Sequence, residues 1–248
     1  MTNDRWPYPR VVAHRGGGTL APENTLGALR HGASLGFKGV EFDVMLAGAD
    51  LPVLMHDETL ERTTSGKGRV PLAAYADIEK LDAGAWHSAK FRGEKVPTYV
   101  EAANLCRRLG LWANVEIKPA TGYEALTGRI VGRMSLDLWG GAALPPVLSS
   151  FSMDALAAAK EAAPGLPRGM LVKAVPQDWQ ARMRELDCAA LHCDYRKLTR
   201  PLAHEIRAAG YAVLCWTVND LAEARKLIDW GVDCVVTDRL DLIGPGFA

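Results

Sequence analysis

The chain has 248 residues, with 29 lysines and arginines against 29 aspartates and glutamates, and 48% of its residues are hydrophobic. These are the proportions of an ordinary globular protein. A net charge of zero supplies no field that would draw the chain to nucleic acid, so nucleic-acid binding is not expected. The apolar runs are too short for a membrane-spanning helix, which needs roughly 20 residues.

Two further features bear on where the protein works. The amino-terminal residues lack the basic start, apolar stretch and small-residue cleavage site of a secretory signal, so we expect a cytoplasmic protein without stable membrane insertion. The cysteines are odd in number and form no CxxC pair. They are Cys106, Cys188, Cys193, Cys215 and Cys234. Most lie in apolar runs, which predicts reduced, buried thiols rather than disulfides or a zinc site.

Short apolar runs bounded by turn residues predict a regular alternation of strands and helices. The predicted strands cover residues 10–15, 39–46, 111–118, 146–151, 168–172, 189–194, 212–218 and 234–238. The predicted helices between them cover residues 24–35, 98–109, 122–138, 152–163, 177–186, 199–209 and 221–230. Repeated βα units of this number predict an α/β fold, a (β/α)8 TIM barrel. A doubly wound open sheet is the alternative, but no glycine-rich phosphate fingerprint follows the first strand.

One segment interrupts the alternation. After the second strand the chain turns at AGAD and returns through residues 51–56, which indicates a hairpin. The following stretch, about residues 57–97, is irregular, polar and glycine-containing. Long insertions in compact domains are usually functional, so we interpret it as a small cap over one end of the barrel. The whole chain, residues 1–248, is expected to form a single barrel domain.

Barrel enzymes place their sites at the C-terminal ends of the strands, so polar residues that end apolar strands are candidates. The first strand ends in His14 and Arg15, followed by three glycines whose amides could approach an anion or could simply form a structural turn. The hairpin returns to His56, which would bring a second imidazole to the same rim. A solvent-exposed histidine is the alternative for that residue.

Three acidic residues lie in two predicted strands. Glu41 and Asp43 flank Phe42, and strand alternation places both carboxylates on one face. Two such charges would repel each other and raise the pKa of one carboxyl unless a cation lies between them, and a solvated edge strand is the alternative. Glu116 and Lys118 repeat the spacing in the third strand, where a salt-bridged surface strand is the alternative. Oxygen ligands of this kind favour one divalent cation, Mg²⁺ or Ca²⁺, over Zn²⁺. The seventh strand adds Trp216, either as core or as the wall of a site.

The motifs AHRGGGTLAPENTL, GVEFDV, PVLMHDETLERTT, VEIK, SSF and CWTVND resemble the signature blocks of bacterial, cytoplasmic-type glycerophosphodiester phosphodiesterases, in the family's order. The resemblance covers essentially the whole chain. It implies the barrel shared with phosphatidylinositol-specific phospholipases C and a hydrolase of lipid and glycerol metabolism that releases sn-glycerol 3-phosphate and an alcohol. Two positions depart from the family pattern: the hairpin turn reads Ala-Asp instead of Asp-Gly, and Leu240 replaces a proline.

The resemblance also implies roles for the candidate residues. The metal ligands would be Glu41, Asp43 and Glu116, the acid and base would be His14 and His56, and Arg15 and Lys118 would contact phosphate, with Trp216 near the substrate. Glu23 would orient His14 or Arg15 or lie at the edge of the metal site, and Asn24 would cap the first helix.

Several alternatives remain open from the sequence. The same core would serve a lysophospholipase D or a cyclising phospholipase, for which Trp86 and Phe91 in the cap would supply apolar surface. A non-catalytic barrel that binds a phosphorylated metabolite would have little need for both histidines and all three carboxylates. The neutral surface favours small soluble substrates such as glycerophosphocholine or glycerophosphoethanolamine, and a homodimer is expected only from the general frequency of dimers.

Overall fold

The computed structural model describes residues 6–247, and its main feature is a closed sheet. The strands are β1 (Val11–Ala13), β2 (Gly39–Ala47), β3 (Leu51–Leu54), β4 (Trp112–Ile117), β5 (Val147–Ser150), β6 (Arg168–Val172), β7 (Ala190–Asp194), β8 (Ala212–Trp216) and β9 (Cys234–Thr237). The helices are α1 (Leu26–Ser34), α2 (Tyr75–Ile78), α3 (Tyr99–Leu109), α4 (Glu124–Leu138), α5 (Met153–Ala162), α6 (Trp179–Glu185), α7 (Arg200–Ala208) and α8 (Leu221–Asp229).

All strands except β3 pair in parallel around a closed barrel. Closure occurs at β1, which pairs with β2 through Ala13 and Val40 and with β9 through Val11 and Val235. At least one helix lies between each barrel strand and the next barrel strand along the chain. The predicted TIM barrel is therefore confirmed, and the C-terminal ends of its strands meet at one end.

Alternation along β2 separates the hydrophobic core from the site. Phe42 points outward, toward the helices, and its ring lies 6.2 Å from that of buried Tyr99 in α3. Glu41 and Asp43, on either side of it, point the other way into the lumen, where both line a cavity. The main apolar core thus lies between strands and helices, which leaves the upper lumen available for polar side chains.

The start of α1 differs from its prediction. Thr25, not Asn24, is the N-cap: its side chain accepts a hydrogen bond from the amide of Ala28. Asn24 has a left-handed backbone, with φ 58°. Its side chain bonds to Asp43, with Nδ2 donating to Oδ2 at 2.9 Å and Oδ1 accepting from the Asp43 amide at 3.1 Å. A residue expected to cap a helix therefore fixes a site carboxylate.

The predicted hairpin is present, and the segment after it has its own small core. Strand β3 runs antiparallel to the end of β2, from Ala47 opposite Leu51 to Val44 opposite Leu54. Buried side chains of the hairpin and of residues 57–97 form a separate cluster. Its members include Met45, Val53, Met55, Leu60, Val70, Ile78, Ala83 and Val96. The irregular segment is therefore anchored on the hairpin by apolar contacts.

The hairpin turn gives a testable stability prediction. Ala49 and Asp50 both have left-handed backbones, with φ 59° and 58°, a conformation that costs most non-glycine residues roughly 1–2 kcal/mol. Ala49→Gly is therefore expected to raise the free energy of unfolding by about 1 kcal/mol. The control, Ala157→Gly on the exposed face of α5, should lower it by about 1 kcal/mol. Urea unfolding measures both, and the same sign for both changes would contradict the explanation.

Candidate active site

The C-terminal ends of the barrel strands surround a cavity of about 110 Å³. Eight of the nine side chains singled out in the sequence line it. They are His14, Arg15, His56, Lys118, Trp216, Glu41, Asp43 and Glu116. The ninth, Glu23, lies behind Arg15 and bonds to it. The structure therefore brings residues from five separate stretches of the chain into one place.

Three buried carboxylates form the acidic cluster of this cavity, Glu41, Asp43 and Glu116. Asp43 lies opposite Glu116 in the register between β2 and β4, and one oxygen from each of the three residues lies within 4.8 Å of the others. Burial and the charge of Asp43 raise the pKa of Glu41 to about 8 and that of Glu116 to about 7. Burial also acts to raise the pKa of Asp43, but Arg15 and other nearby cations lower it overall.

This donor set fits a hard divalent cation. All three residues offer oxygen, and the buried Oε1 of Glu41 has no hydrogen-bond partner among residues 6–247. Three carboxylates at such separations repel one another, and a cation between them would favour their ionised forms. Oxygen-only ligands suit Mg²⁺ or Ca²⁺ better than Zn²⁺. The acidic cluster could therefore hold such an ion.

His14 follows β1 directly and is held by a carboxylate from the other end of the chain. Its Nδ1 bonds to Oδ1 of Asp238 at 2.6 Å, and its Nε2 lies 3.8 Å from Oε2 of Glu41. Asn219 in turn donates to the other oxygen of Asp238 at 3.1 Å. Burial lowers the pKa of His14, but Asp238 and Glu41 together outweigh it and raise the pKa overall. Asp238 was missed by the sequence reasoning, although it ends a predicted strand.

His56 has a similar partner. Its Nδ1 bonds to Oδ1 of Asp57 at 2.5 Å. Burial and the charges of Arg15 and Lys118 lower the pKa of His56 more than the neighbouring carboxylates raise it. Because an ionised carboxylate only accepts hydrogen bonds, Nδ1 of each histidine donates and Nε2 is left to exchange a proton.

The two cations flank the acidic cluster. Arg15 lies 3.5 Å from Asp43 and bonds to Glu23 through Nη1 at 2.5 Å. Lys118 bonds to Glu116 at 2.8 Å and lies 3.8 Å from Asp43. Both side chains line the cavity, so an anion that entered it could contact two positive charges.

The three glycines after Arg15 form a structural turn, one of the two interpretations that the sequence allows. The amides of Gly16 and Gly18 donate to backbone carbonyls of Ala13 and His14. Gly18 has φ +54°, and a Cβ there would lie 2.1 Å from the carbonyl oxygen of Asp238. Glycine is therefore needed for close packing between the ends of β1 and β9, and these two amides are not available to an anion.

An aromatic wall closes one side of the cavity. The rings of Trp216 and Phe151 pack edge to face, with centroids 5.4 Å apart. Nζ of Lys118 lies 5.4 Å from the Phe151 centroid. The sequence interpretation offered Trp216 for this rim but assigned no role to Phe151, the last residue of the SSF motif. This wall offers apolar contact to one part of a bound molecule.

His192 is a buried histidine of the lumen that the sequence reasoning did not single out. It lies in β7 and lines the cavity, and neither ring nitrogen has a hydrogen-bond partner in the described part of the chain. Its ring packs against Gly169 of β6, where a Cβ would lie 2.4 Å from Nε2. Burial lowers its pKa to about 3, so the ring is neutral. A single histidine in an apolar strand gave no sequence signal of this placement.

Neutral His192 predicts a pH-dependent stability. Between pH 6.5 and about 3 the unfolded chain protonates this residue and the folded chain does not, so stability falls as pH drops through that window. His192→Gln is expected to reduce the slope of the unfolding free energy against pH by up to about 1.4 kcal/mol per pH unit, the contribution of one proton. Urea unfolding across the window measures it. Ser149→Ala, also buried, should keep the wild-type slope, and an unchanged slope in His192→Gln would contradict the assignment.

Within one cavity, this end of the barrel combines carboxylate oxygens that could hold a cation, imidazoles that could transfer protons and positive charges that could bind an anion. Such chemistry belongs to a hydrolase that cleaves an anionic ester, and the protein is a TIM-barrel enzyme of that class.

The five cysteines are buried and free, as predicted. In the described part of the chain, no helix combines the length and apolar character needed to cross a bilayer.

Comparisons with known proteins narrow the class. A model of the glycerophosphoryl diester phosphodiesterase family matches residues 14–242. A glycerophosphodiester phosphodiesterase of Caldanaerobacter subterraneus subsp. tengcongensis is 32% identical, over 92% of this chain and 93% of that protein. A phosphodiesterase from Oleispira antarctica, solved in complex with the product sn-glycerol-3-phosphate, has a TM-score of 0.88 and 40% identity over 93% of each chain. The chain therefore belongs to the glycerophosphoryl diester phosphodiesterase family and is a phosphoric diester hydrolase.

Proposed function

We propose that this protein hydrolyses small glycerophosphodiesters, such as glycerophosphocholine or glycerophosphoethanolamine, to sn-glycerol 3-phosphate and an alcohol. One observation carries the proposal: the acidic cluster and both carboxylate-held histidines line one cavity. The Oleispira antarctica relative, solved with sn-glycerol-3-phosphate, supports this product class.

The reaction needs charge neutralisation, because a phosphodiester anion repels its nucleophile. Glu41, Asp43 and Glu116 would hold one divalent cation, Mg²⁺ or Ca²⁺, which would supply Lewis-acid stabilisation of charge on the phosphate. Arg15 and Lys118 would contact the phosphate oxygens and stabilise the added charge of the transition state. Trp216 and Phe151 would contact the apolar side of the substrate.

His14 and His56 would carry the protons. Nε2 of one histidine takes the proton of the attacking hydroxyl as the new P–O bond forms, and the other donates a proton to the leaving alkoxide as the old P–O bond breaks. The attacking hydroxyl is either the 2-hydroxyl of the glycerol moiety, giving a cyclic phosphate that water then opens, or water itself. Asp238 and Asp57 hold Nδ1 of their respective histidines, which keeps Nε2 available in both cases.

Substrate choice tests this proposal. The purified protein is incubated with glycerophosphocholine, glycerophosphoethanolamine and lysophosphatidylcholine, and released sn-glycerol 3-phosphate, choline and lysophosphatidic acid are measured. We expect sn-glycerol 3-phosphate from the first two substrates. Choline released only from the lysolipid, together with lysophosphatidic acid, would instead establish the lysophospholipase D alternative. In that alternative, half-exposed Trp86 in the segment after the hairpin would supply apolar surface for the lysolipid chain. Binding without product from any of them would establish the non-catalytic alternative.

The proposal also covers the domain organisation, the cellular compartment and the oligomeric state of the protein. The whole chain would act as one barrel domain, with residues 57–97 as a cap that supplies apolar surface near the mouth. Five free, buried cysteines favour a reducing compartment such as the cytoplasm. We also expect a homodimer, the commonest assembly of soluble oligomeric proteins, and analytical ultracentrifugation would test it.

A further inference from the structure

Arg62, in the segment between β3 and α2, binds two carboxylates at once. Its Nε and Nη2 donate to the two oxygens of Asp57 at 2.5 and 3.0 Å. Its Nη1 and Nη2 donate to the two oxygens of Glu23 at 2.7 and 2.8 Å. The planar guanidinium is thus engaged in two fork-like pairs, an arrangement that a lysine cannot reproduce.

Each of these carboxylates also holds a side chain of the cavity. Oδ1 of Asp57 bonds to Nδ1 of His56 at 2.5 Å. Oε1 of Glu23 bonds to Nη1 of Arg15 at 2.5 Å. Arg62 therefore connects the imidazole of His56, which follows β3, with the guanidinium of Arg15, which follows β1. Every hydrogen bond in this network is accepted by a carboxylate.

The environment distinguishes this pair of contacts from an ordinary surface ion pair. The Glu23 side chain is only 13% exposed. Its pKa, which burial would raise, is lowered overall by Arg62 and Arg15. An isolated exposed pair contributes little, whereas bidentate contacts in a network fix geometry. Arg69 offers the contrast: its side chain is as exposed as that of Arg62, but among the described residues it makes one hydrogen bond, to Glu58, which does not line the cavity.

We propose that Arg62 is a positioning residue for the reaction: through Asp57 and Glu23 it fixes both His56 and Arg15 against the bound phosphodiester. It does not line the cavity itself. The inference rests on the proposed function, since it assigns a role within that reaction. Loss of Arg62 would release two cavity side chains together and leave the acidic cluster in place.

The test compares Arg62→Gln with the matched control Arg69→Gln, using glycerophosphodiester hydrolysis by the full chain. We expect Arg62→Gln to lower kcat by about 10- to 100-fold, because a misplacement of about 1 Å has effects of this size. KM should change less than kcat, and Arg69→Gln should behave as wild type. Arg62→Lys should recover only part of the loss, because an ammonium cannot form both bidentate pairs.

A second measurement separates positioning from a general loss of structure. Added guanidinium ion, at non-denaturing concentration, is expected to restore part of kcat in Arg62→Ala, whereas equimolar urea should restore none. If Arg62→Gln keeps kcat within about twofold of Arg69→Gln, or if guanidinium and urea act alike, the inference is wrong.

The inference can also fail or survive independently of the proposed function. Nitrogen-15 NMR of the histidine rings reads the His56 tautomer without any substrate. We expect Nδ1 of His56 to be protonated in wild type and Arg69→Gln, and a mixture of tautomers in Arg62→Gln. An unchanged tautomer in Arg62→Gln would overturn the role of Arg62, while absent hydrolysis by wild type would overturn the proposed function alone.

Discussion

Replacing His14 or His56 with alanine is expected to lower kcat by about 10²–10⁴-fold in each case, the usual contribution of a positioned acid or base. Each ring is tied through Nδ1 to its own carboxylate, Asp238 or Asp57, and both rings line the cavity. Neither residue belongs to the main apolar core, so the fold should persist. Steady-state hydrolysis of glycerophosphocholine measures the loss, and far-ultraviolet circular dichroism checks the fold.

His204 provides the matched control, because it is an exposed histidine on α7 that does not line the cavity. His204→Ala should retain wild-type kcat. Wild-type turnover in either His14→Ala or His56→Ala would exclude that histidine as acid or base. Equal losses in all three variants would point to damage of the protein rather than to chemistry.

Replacing Glu41 with glutamine is expected to weaken binding of Mg²⁺ or Ca²⁺ by at least about 100-fold, since even outer partners of a metal ligand account for 10- to 100-fold. Glu41 is one of three carboxylates whose oxygens lie within 4.8 Å of one another. Isothermal titration calorimetry measures the affinity directly and without substrate. Unchanged affinity would remove Glu41 from the ligand set.

Glu41→Gln should weaken metal binding, but in the absence of metal it is expected to stabilise the fold at high pH. The folded-state pKa of Glu41, about 8, lies above its ordinary value of 4.5, so the folded protein loses stability as pH rises through this range. At about pH 9 metal-free Glu41→Gln should therefore unfold at a higher temperature than metal-free wild type. Saturating metal should reverse the order. Glu161→Gln, on the exposed side of α5, should change neither affinity nor this order.

The sequence predicted those features that depend on local periodicity. Glu41, Phe42 and Asp43 show why: alternation along a strand assigns faces, and a run of parallel strands assigns a common end. The family resemblance added the roles of residues such as Lys118, whose side chain the structure places beside Glu116. Pattern and motif together therefore predict most of the residues that line the cavity.

Features that depend on contacts between distant residues could not be predicted in this way. Asp238 lies 224 positions from His14, and Arg62 lies 39 positions from Glu23, so no local pattern links either pair. Asn24 shows a different limit. Its residue type suits a helix cap, but the adjacent Thr25 takes that place, and the amide of Asn24 instead satisfies buried Asp43.

The central claim is that this barrel cleaves glycerophosphodiesters with a cation held by the acidic cluster. The most direct test measures sn-glycerol 3-phosphate release from glycerophosphocholine before EDTA, after EDTA, and after separate return of Mg²⁺ or Ca²⁺. We expect EDTA to abolish release and at least one cation to restore it in wild type but not in Glu41→Gln. Full release that persists in EDTA, or restoration that is equal in Glu41→Gln, would contradict the account.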